Sequence, residues 1–155
     1  MSSATSRISP ICCPADRFRA VEVCEGEGWR LVVDQARHPY IALIGGSDWA
    51  VEFTREELEI LWRAIRRLRL QYAALTDQLM DEESLELDLE LPLPAAESGS
   101  SLWIALEGDR RLWSLRFVLT PGAEARAVEG AWSAAASGPF AAALEAIEAR
   151  LGLAE

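Results

Sequence analysis

The sequence reads Gly45-Gly46-Ser47-Asp48-Trp49-Ala50-Val51-Glu52-Phe53-Thr54 where a turn and a strand lead into a long helix. The paired glycines predict a tight turn, because glycine adopts positive φ without a Cβ clash. From Trp49 to Phe53 large apolar residues alternate with smaller or polar ones, which is the period of a half-buried strand. Thr54 then ends the strand and begins a helix, since its hydroxyl and the Glu57 carboxylate are spaced for a capping box.

The helix that follows is amphipathic, and no Gly or Pro occurs between residues 54 and 83. Apolar residues recur along it in alternating steps of three and four, a heptad row. The row consists of Leu58, Leu61, Ile65, Leu68, Tyr72, Leu75 and Leu79. We expect a helix of about 26 residues, roughly 40 Å long, with this row in the core. The row is equally compatible with a monomer and a homodimer, so the oligomeric state stays undecided.

Length and hydropathy indicate one globular domain. The chain has 155 residues, half of them apolar, which suffices for a core of ordinary size. We expect a mobile N-terminal arm over residues 1–25 and a single α+β domain over 26–152. No apolar run reaches the ~18 residues of a membrane span, and the N-terminus lacks the apolar segment of a secretory signal. A cytoplasmic protein with no membrane contact is the expectation.

Charge is distributed unevenly along the chain. The net charge is −10 and all 15 basic residues are arginine, yet ten acids and no base lie between Leu70 and Asp109. Such a chain repels phosphate backbones, so a nucleic-acid partner is possible but disfavoured. Another protein is the expected partner.

Few residues are arranged for catalysis or metal binding. The three cysteines form no C-x-x-C motif and are expected to be reduced thiols. His38, the single histidine, has no patterned nucleophile or acid beside it. The acids of the predicted strand Leu85–Leu91 alternate with leucine, which is typical of a solvated face rather than a cation site. We therefore expect no catalytic residue, no metal and no cofactor.

The remaining strands and the last helix are predicted from the periodicity of apolar residues and from the positions of Gly and Pro. Strands are predicted at Trp29–Val33, Tyr40–Ile44 and Ala127–Ser133, and a last helix at Pro139, ending at Gly152. Its apolar row is Phe140, Leu144, Ile147 and Leu151.

A predicted hairpin places the first candidate binding residues. One register pairs Leu106 with Trp113 and sets Trp103 opposite Arg116 on the polar face. A two-residue turn at residues 108–109 shifts the pairing by two and leaves Arg116 diagonal to Trp103. In either case Trp103 is the tryptophan that leaves the apolar face. Two interpretations stay open: a cation–π pair with a structural role, or an exposed aromatic anchor with its arginine.

A second candidate surface lies on the long helix. Arg63, Arg66 and Arg67 fall opposite its leucine row. Surface ion pairs, such as one with Glu59 four residues before Arg63, are the ordinary interpretation. A patch that binds a partner or phosphate is the alternative.

Six blocks carry a resemblance to a known family. They are residues 28–31 (GWRL), 43–54 (LIGGSDWAVEFT), 78–83 (QLMDEE), 102–108 (LWIALEG), 114–117 (SLRF) and 129–132 (EGAW). Together they resemble the cyanobacterial domain-of-unknown-function family 1818, over about residues 26–151. The family has no assigned activity, and its fold is similar to that of the Whirly proteins, which bind single-stranded DNA. The Whirly motif Lys-Gly-Lys-Ala-Ala-Leu has no counterpart here, because the chain has no lysine.

The resemblance and the order of elements imply the same architecture. We expect a Whirly-like α+β fold in which duplicated strand-strand-strand-(strand)-helix units form two antiparallel sheets with two helices packed between them. The expected function is a non-enzymatic protein-interaction or assembly module; the alternative is a single-stranded nucleic-acid-binding, transcriptional-regulator-like protein. Candidate partner-binding residues are Trp103, Arg116, Arg63, Arg66 and Arg67.

Overall fold

The computed structural model describes residues 13–14, 21–93, 99–122 and 125–152. Within them the chain forms an α+β fold with two antiparallel sheets and two helices. The first sheet consists of β1 (Cys13–Pro14), β2 (Val21–Gly26), β3 (Trp29–Asp34), β4 (Tyr40–Gly45) and β5 (Ala50–Thr54), followed by α1 (Arg55–Thr76). The second consists of β6 (Leu85–Pro92), β7 (Ser101–Gly108), β8 (Trp113–Thr120) and β9 (Val128–Trp132), followed by α2 (Ala134–Leu151). Each sheet keeps its strands in chain order, which is consistent with the predicted duplication.

Helix α1 begins as predicted but ends earlier. The Glu57 N–H donates to Thr54 Oγ1 at 3.2 Å, and the Thr54 N–H donates to Glu57 Oε1 at 2.7 Å, so the capping box is confirmed. The predicted row is fully buried only as far as Leu68. Leu75 is 42% exposed, and the helix stops at Thr76, whose hydroxyl donates to the Tyr72 carbonyl. Such a bond competes with the helical ladder, and the helix has 22 residues rather than the predicted length of about 26.

Strand β2 changes the expected N-terminal boundary. Val21–Gly26 pairs with β3 along its whole length, from Val21 opposite Asp34 to Gly26 opposite Trp29. The prediction of an arm to residue 25 is therefore wrong for its last five residues, where Val-Glu-Val-Cys-Glu alternates as a strand does. Residues 1–12 and 15–20 lie outside the described part. Cys24 is buried and disulfide-bonded, which corrects the expectation of a reduced thiol there.

The turn before β5 needs glycine for a different reason from the one expected. Neither Gly45 nor Gly46 has positive φ. Instead, the Gly46 N–H donates to the Trp49 carbonyl at 3.0 Å and closes a tight loop. A Cβ on Gly45 would lie 2.9 Å from that carbonyl oxygen, and a Cβ on Gly46 would fall on the Trp49 indole. Crowding by one tryptophan, which lies just outside the strand, excludes larger side chains.

Aromatic side chains join the two sheets at this end of the molecule. The Trp132 indole N–H donates to the Gly45 carbonyl at 2.9 Å, linking β9 to β4. The Trp132 ring stacks on Phe140 of α2 with centroids 4.2 Å apart and meets Trp49 edge-on at 5.1 Å. Both helices contact both sheets, so the core lies between the sheets and around the helices.

Helix α2 starts five residues before the predicted Pro139. Ser133 caps it by accepting the Ala136 N–H at 3.2 Å, and Pro139 lies inside the helix. The buried row Phe140, Leu144 and Ile147 is confirmed, as is the end at Gly152, which adopts left-handed φ of 62°. Neither helix in the described residues is long and apolar enough to cross a membrane.

Candidate interaction surface

The β7–β8 hairpin sets the position of Trp103 and Arg116, and its register differs from both predictions. Gly108 pairs with Trp113 and Leu106 with Leu115, so four residues form the loop. Asp109 stabilises that loop, because its Oδ1 accepts the N–H groups of Arg111 at 2.7 Å and Leu112 at 3.0 Å. These backbone hydrogen bonds, the one from Leu112 first, lower the pKa of Asp109.

The observed register still pairs apolar with apolar residues, because a shift by two keeps every side chain on its face. Trp103 lies opposite Val118 rather than Arg116, and Arg116 lies opposite Ala105. Arg116 is therefore diagonal to Trp103, and its guanidinium carbon lies 4.9 Å from the centre of the Trp103 ring. The cation–π pair is present.

Acids of β6 hold both partners of this pair. The Trp103 indole N–H donates to Asp88 Oδ2 at 3.0 Å. Arg116 Nη2 donates to Glu86 Oε1 at 2.8 Å, with both side chains about half exposed. The indole is thus fixed in orientation while part of its surface stays accessible.

We call the outward side of β6–β9 around this pair the tryptophan face. Among its strand residues in the described part, Arg116 is the single base, and the acids are Glu86, Asp88, Glu90, Glu107 and Glu129. Alternation along each strand sends these side chains away from the core. The face is therefore an acidic surface with an aromatic centre.

A trough of about 350 Å³ crosses the tryptophan face towards β9. Its lining includes Trp103 and Arg116 of this face and Trp49, which precedes β5 of the first sheet. The Trp49 indole N–H donates to the Ala131 carbonyl at 3.0 Å, and its ring lies against Gly130. The alternation of residues around Trp49 predicts only that its side chain lies in the core. Its position beside the trough depends on the hydrogen bond to Ala131, 82 residues away, which no local pattern reveals.

The arginines of α1 form a separate surface. Arg66 and Arg67 are exposed and Arg63 is half-buried. The Arg66 guanidinium lies 5.2 Å from the Trp62 ring centre. Because α1 packs against β6 and β7 on their apolar side, the structure places these arginines across the second sheet from Trp103. The two sets of candidate residues are not brought together.

Other candidate groups stay apart. His38 lies exposed in the β3–β4 loop, joined to Pro39 by a cis peptide bond. In the ranges that the structure describes, no three His, Cys, Asp or Glu side chains converge as metal ligands do.

Comparison with known proteins identifies the family. The structure is similar to a crystal structure from Prochlorococcus sp. NATL2A, described as a protein with unknown function from the DUF155 family. The two share 30% sequence identity with a TM-score of 0.70, covering 81% of this chain and 97% of that one. No curated protein matches the sequence. The profile of the family described as domain of unknown function (DUF1818) matches residues 24–147, and the chain therefore belongs to that family.

Proposed function

We propose that the protein is a non-enzymatic interaction module whose tryptophan face binds a positively charged segment of another protein. The observation that carries the proposal is the fixed, partly exposed indole of Trp103 within an acidic surround. Tryptophan is among the residues that contribute most to protein interfaces. Because Arg116 and Asp88 already hold the ring, binding would lose little side-chain entropy.

Charge supports the choice of partner. Arg116 is neutralised by Glu86 at 2.8 Å, which leaves the other acids of the face to interact with lysine or arginine side chains. Complementary charge speeds association and excludes acidic proteins. The trough beside Trp103 offers space for one side chain of the partner.

The proposal is tested by affinity capture from native lysate with the wild-type protein and the W103A/R116A variant. We expect the variant to lose a basic partner that the wild-type protein retains, and salt to weaken that interaction. Y40A is the matched control, because Tyr40 is an aromatic side chain, 44% exposed, on the first sheet. An identical set of captured proteins for wild type and W103A/R116A would refute the proposal.

The second candidate function is single-stranded nucleic-acid binding, as in the Whirly proteins that the family resembles. One observation favours it: between Ile60 and Thr76, α1 carries four arginines and no acid. Fluorescence polarisation with a labelled oligothymidine should then show binding that weakens steeply with salt. The R63Q/R66Q/R67Q variant should lose that binding while W103A retains it. No binding at low ionic strength would exclude this function.

A further inference from the structure

A groove of about 300 Å³ separates the flank of α1 from α2. Its floor is apolar and buried: Trp62 is 6% exposed, and Ile65 and Ala141 are each 3% exposed. Leu70 stands at the rim with 65% of its surface exposed. The volume is at the lower end of the range for sites that bind small molecules.

Two guanidinium groups border this apolar floor. Arg66 lies over the Trp62 ring at 5.2 Å, and Arg69 lies over the Trp113 ring at 5.5 Å. Both arginines line the groove. Contact with an indole attracts each guanidinium and restricts its side chain. The groove therefore combines an apolar floor with two positioned positive charges.

The acid on the opposite wall is weakly held. Glu145 of α2 approaches Arg69 at 3.8 Å, with side chains 42% exposed for Arg69 and 68% for Glu145. Exposed pairs of this kind contribute little to stability. A ligand carboxylate can replace Glu145 beside Arg69 at small cost.

We propose that this groove binds a small carboxylate with an apolar body, the carboxylate between Arg66 and Arg69 and the body on Trp62, Ile65 and Ala141. Charge complementarity selects an anion, and the apolar floor selects a ligand with a hydrocarbon or aromatic portion. A long polyanion is disfavoured, because the chain as a whole has a net charge of −10 and repels it. Glu145 competes with the ligand carboxylate for Arg69.

The probes are decanoate and decylamine, each below its critical micelle concentration, and decanol below its solubility limit. They share one chain and differ in the charge of the head group. Isothermal titration should show saturable binding of decanoate to the wild-type protein and at least tenfold weaker binding of the other two. In R66Q/R69Q decanoate binding should weaken at least tenfold, since each charge-assisted hydrogen bond is worth about a factor of ten. In E145Q it should strengthen several-fold, because the competitor is removed.

Two variants serve as controls. R37Q removes an exposed, paired arginine in the β3–β4 loop, and W103A alters the tryptophan face; both should bind decanoate as wild type does. Equal affinity for decanoate and decanol, unchanged binding in R66Q/R69Q, or no saturable binding of decanoate would each overturn the proposal. Urea unfolding curves verify that each variant is folded.

Discussion

Replacing Gly130 by alanine tests the packing that joins the two sheets. A Cβ on Gly130 would lie 2.6 Å from Cη2 of Trp49 and 2.7 Å from Cζ2 and Cζ3. Atoms do not approach so closely, so the indole must move. It is held by its hydrogen bond to the Ala131 carbonyl and by edge contacts with Phe117 and Trp132, with centroids at 5.6 and 5.1 Å. G130A therefore disturbs several contacts at once.

The expected destabilisation follows from three contributions. Overpacking costs about 1–3 kcal/mol, and loss of the partly exposed indole hydrogen bond costs about 0.5–1 kcal/mol. Replacing a glycine within a strand by alanine stabilises the folded state by about 0.5–1 kcal/mol, because the unfolded chain loses conformational freedom. We expect G130A to lower the free energy of unfolding by roughly 1–3 kcal/mol, which in a chain of this size lowers Tm by about 3–10 °C.

Urea unfolding monitored by tryptophan fluorescence measures the effect. G138A is the matched control: Gly138 lies inside α2, and the nearest side-chain atom to its added Cβ would be 4.0 Å away. It should raise stability by up to about 1 kcal/mol through helix propensity. In a W49L background, G130A should cost clearly less, because the two sites are coupled. If G130A is as stable as wild type, the position of Trp49 over β9 is wrong.

Three further predictions concern the hairpin and the helices. The pKa of Asp109 is lowered on folding. The stabilisation from its carboxylate is therefore present above the unfolded pKa and is lost as pH falls through the folded pKa. When urea unfolding is measured from pH 7 to pH 3, the free energy of unfolding should depend less on pH in D109N than in the wild-type protein. S137A should lower the free energy of unfolding in denaturant by about 1–3 kcal/mol. The buried Ser137 hydroxyl accepts the Leu115 N–H at 3.0 Å, and its removal leaves that donor unsatisfied. A decrease below about 0.5 kcal/mol would contradict this prediction. L68A should cost about 2–5 kcal/mol and L75A under about 1 kcal/mol, since only Leu68 is fully buried; equal costs would place Leu75 in the core.

The faces of the strands could be predicted from the sequence, but their register could not. In β7 and β8 the alternation from Leu102 to Leu106 assigns each side chain to a face, and the structure confirms that assignment. A shift by two residues preserves every face, so apolar matching cannot distinguish between registers. The length of the β7–β8 loop sets the register. The loop has four residues, and the Asp109 carboxylate stabilises it by accepting two backbone N–H groups.

The features that the sequence did not predict depend on contacts between segments that are distant along the chain. The start of α1 is encoded locally by Thr54 and Glu57, and it was predicted correctly. Its end depends on where the sheets stop covering the leucine row, which is a tertiary property. The groove beside Trp62 likewise requires Glu145 of α2 to approach Arg69, 76 residues earlier. No periodicity in either helix predicts that meeting.

The two proposed surfaces lie on opposite sides of the second sheet and carry opposite charge. The acids of the tryptophan face point away from the core, and the arginines of α1 lie beyond the apolar side of β6 and β7. A packed layer is about 10 Å thick, while the Debye length is about 8 Å at physiological salt. Charges on one surface are therefore largely screened from the other under those conditions. At low ionic strength the acidic face should weaken anion binding in the groove, so E90Q should strengthen decanoate binding there and have no effect at 0.15 M salt.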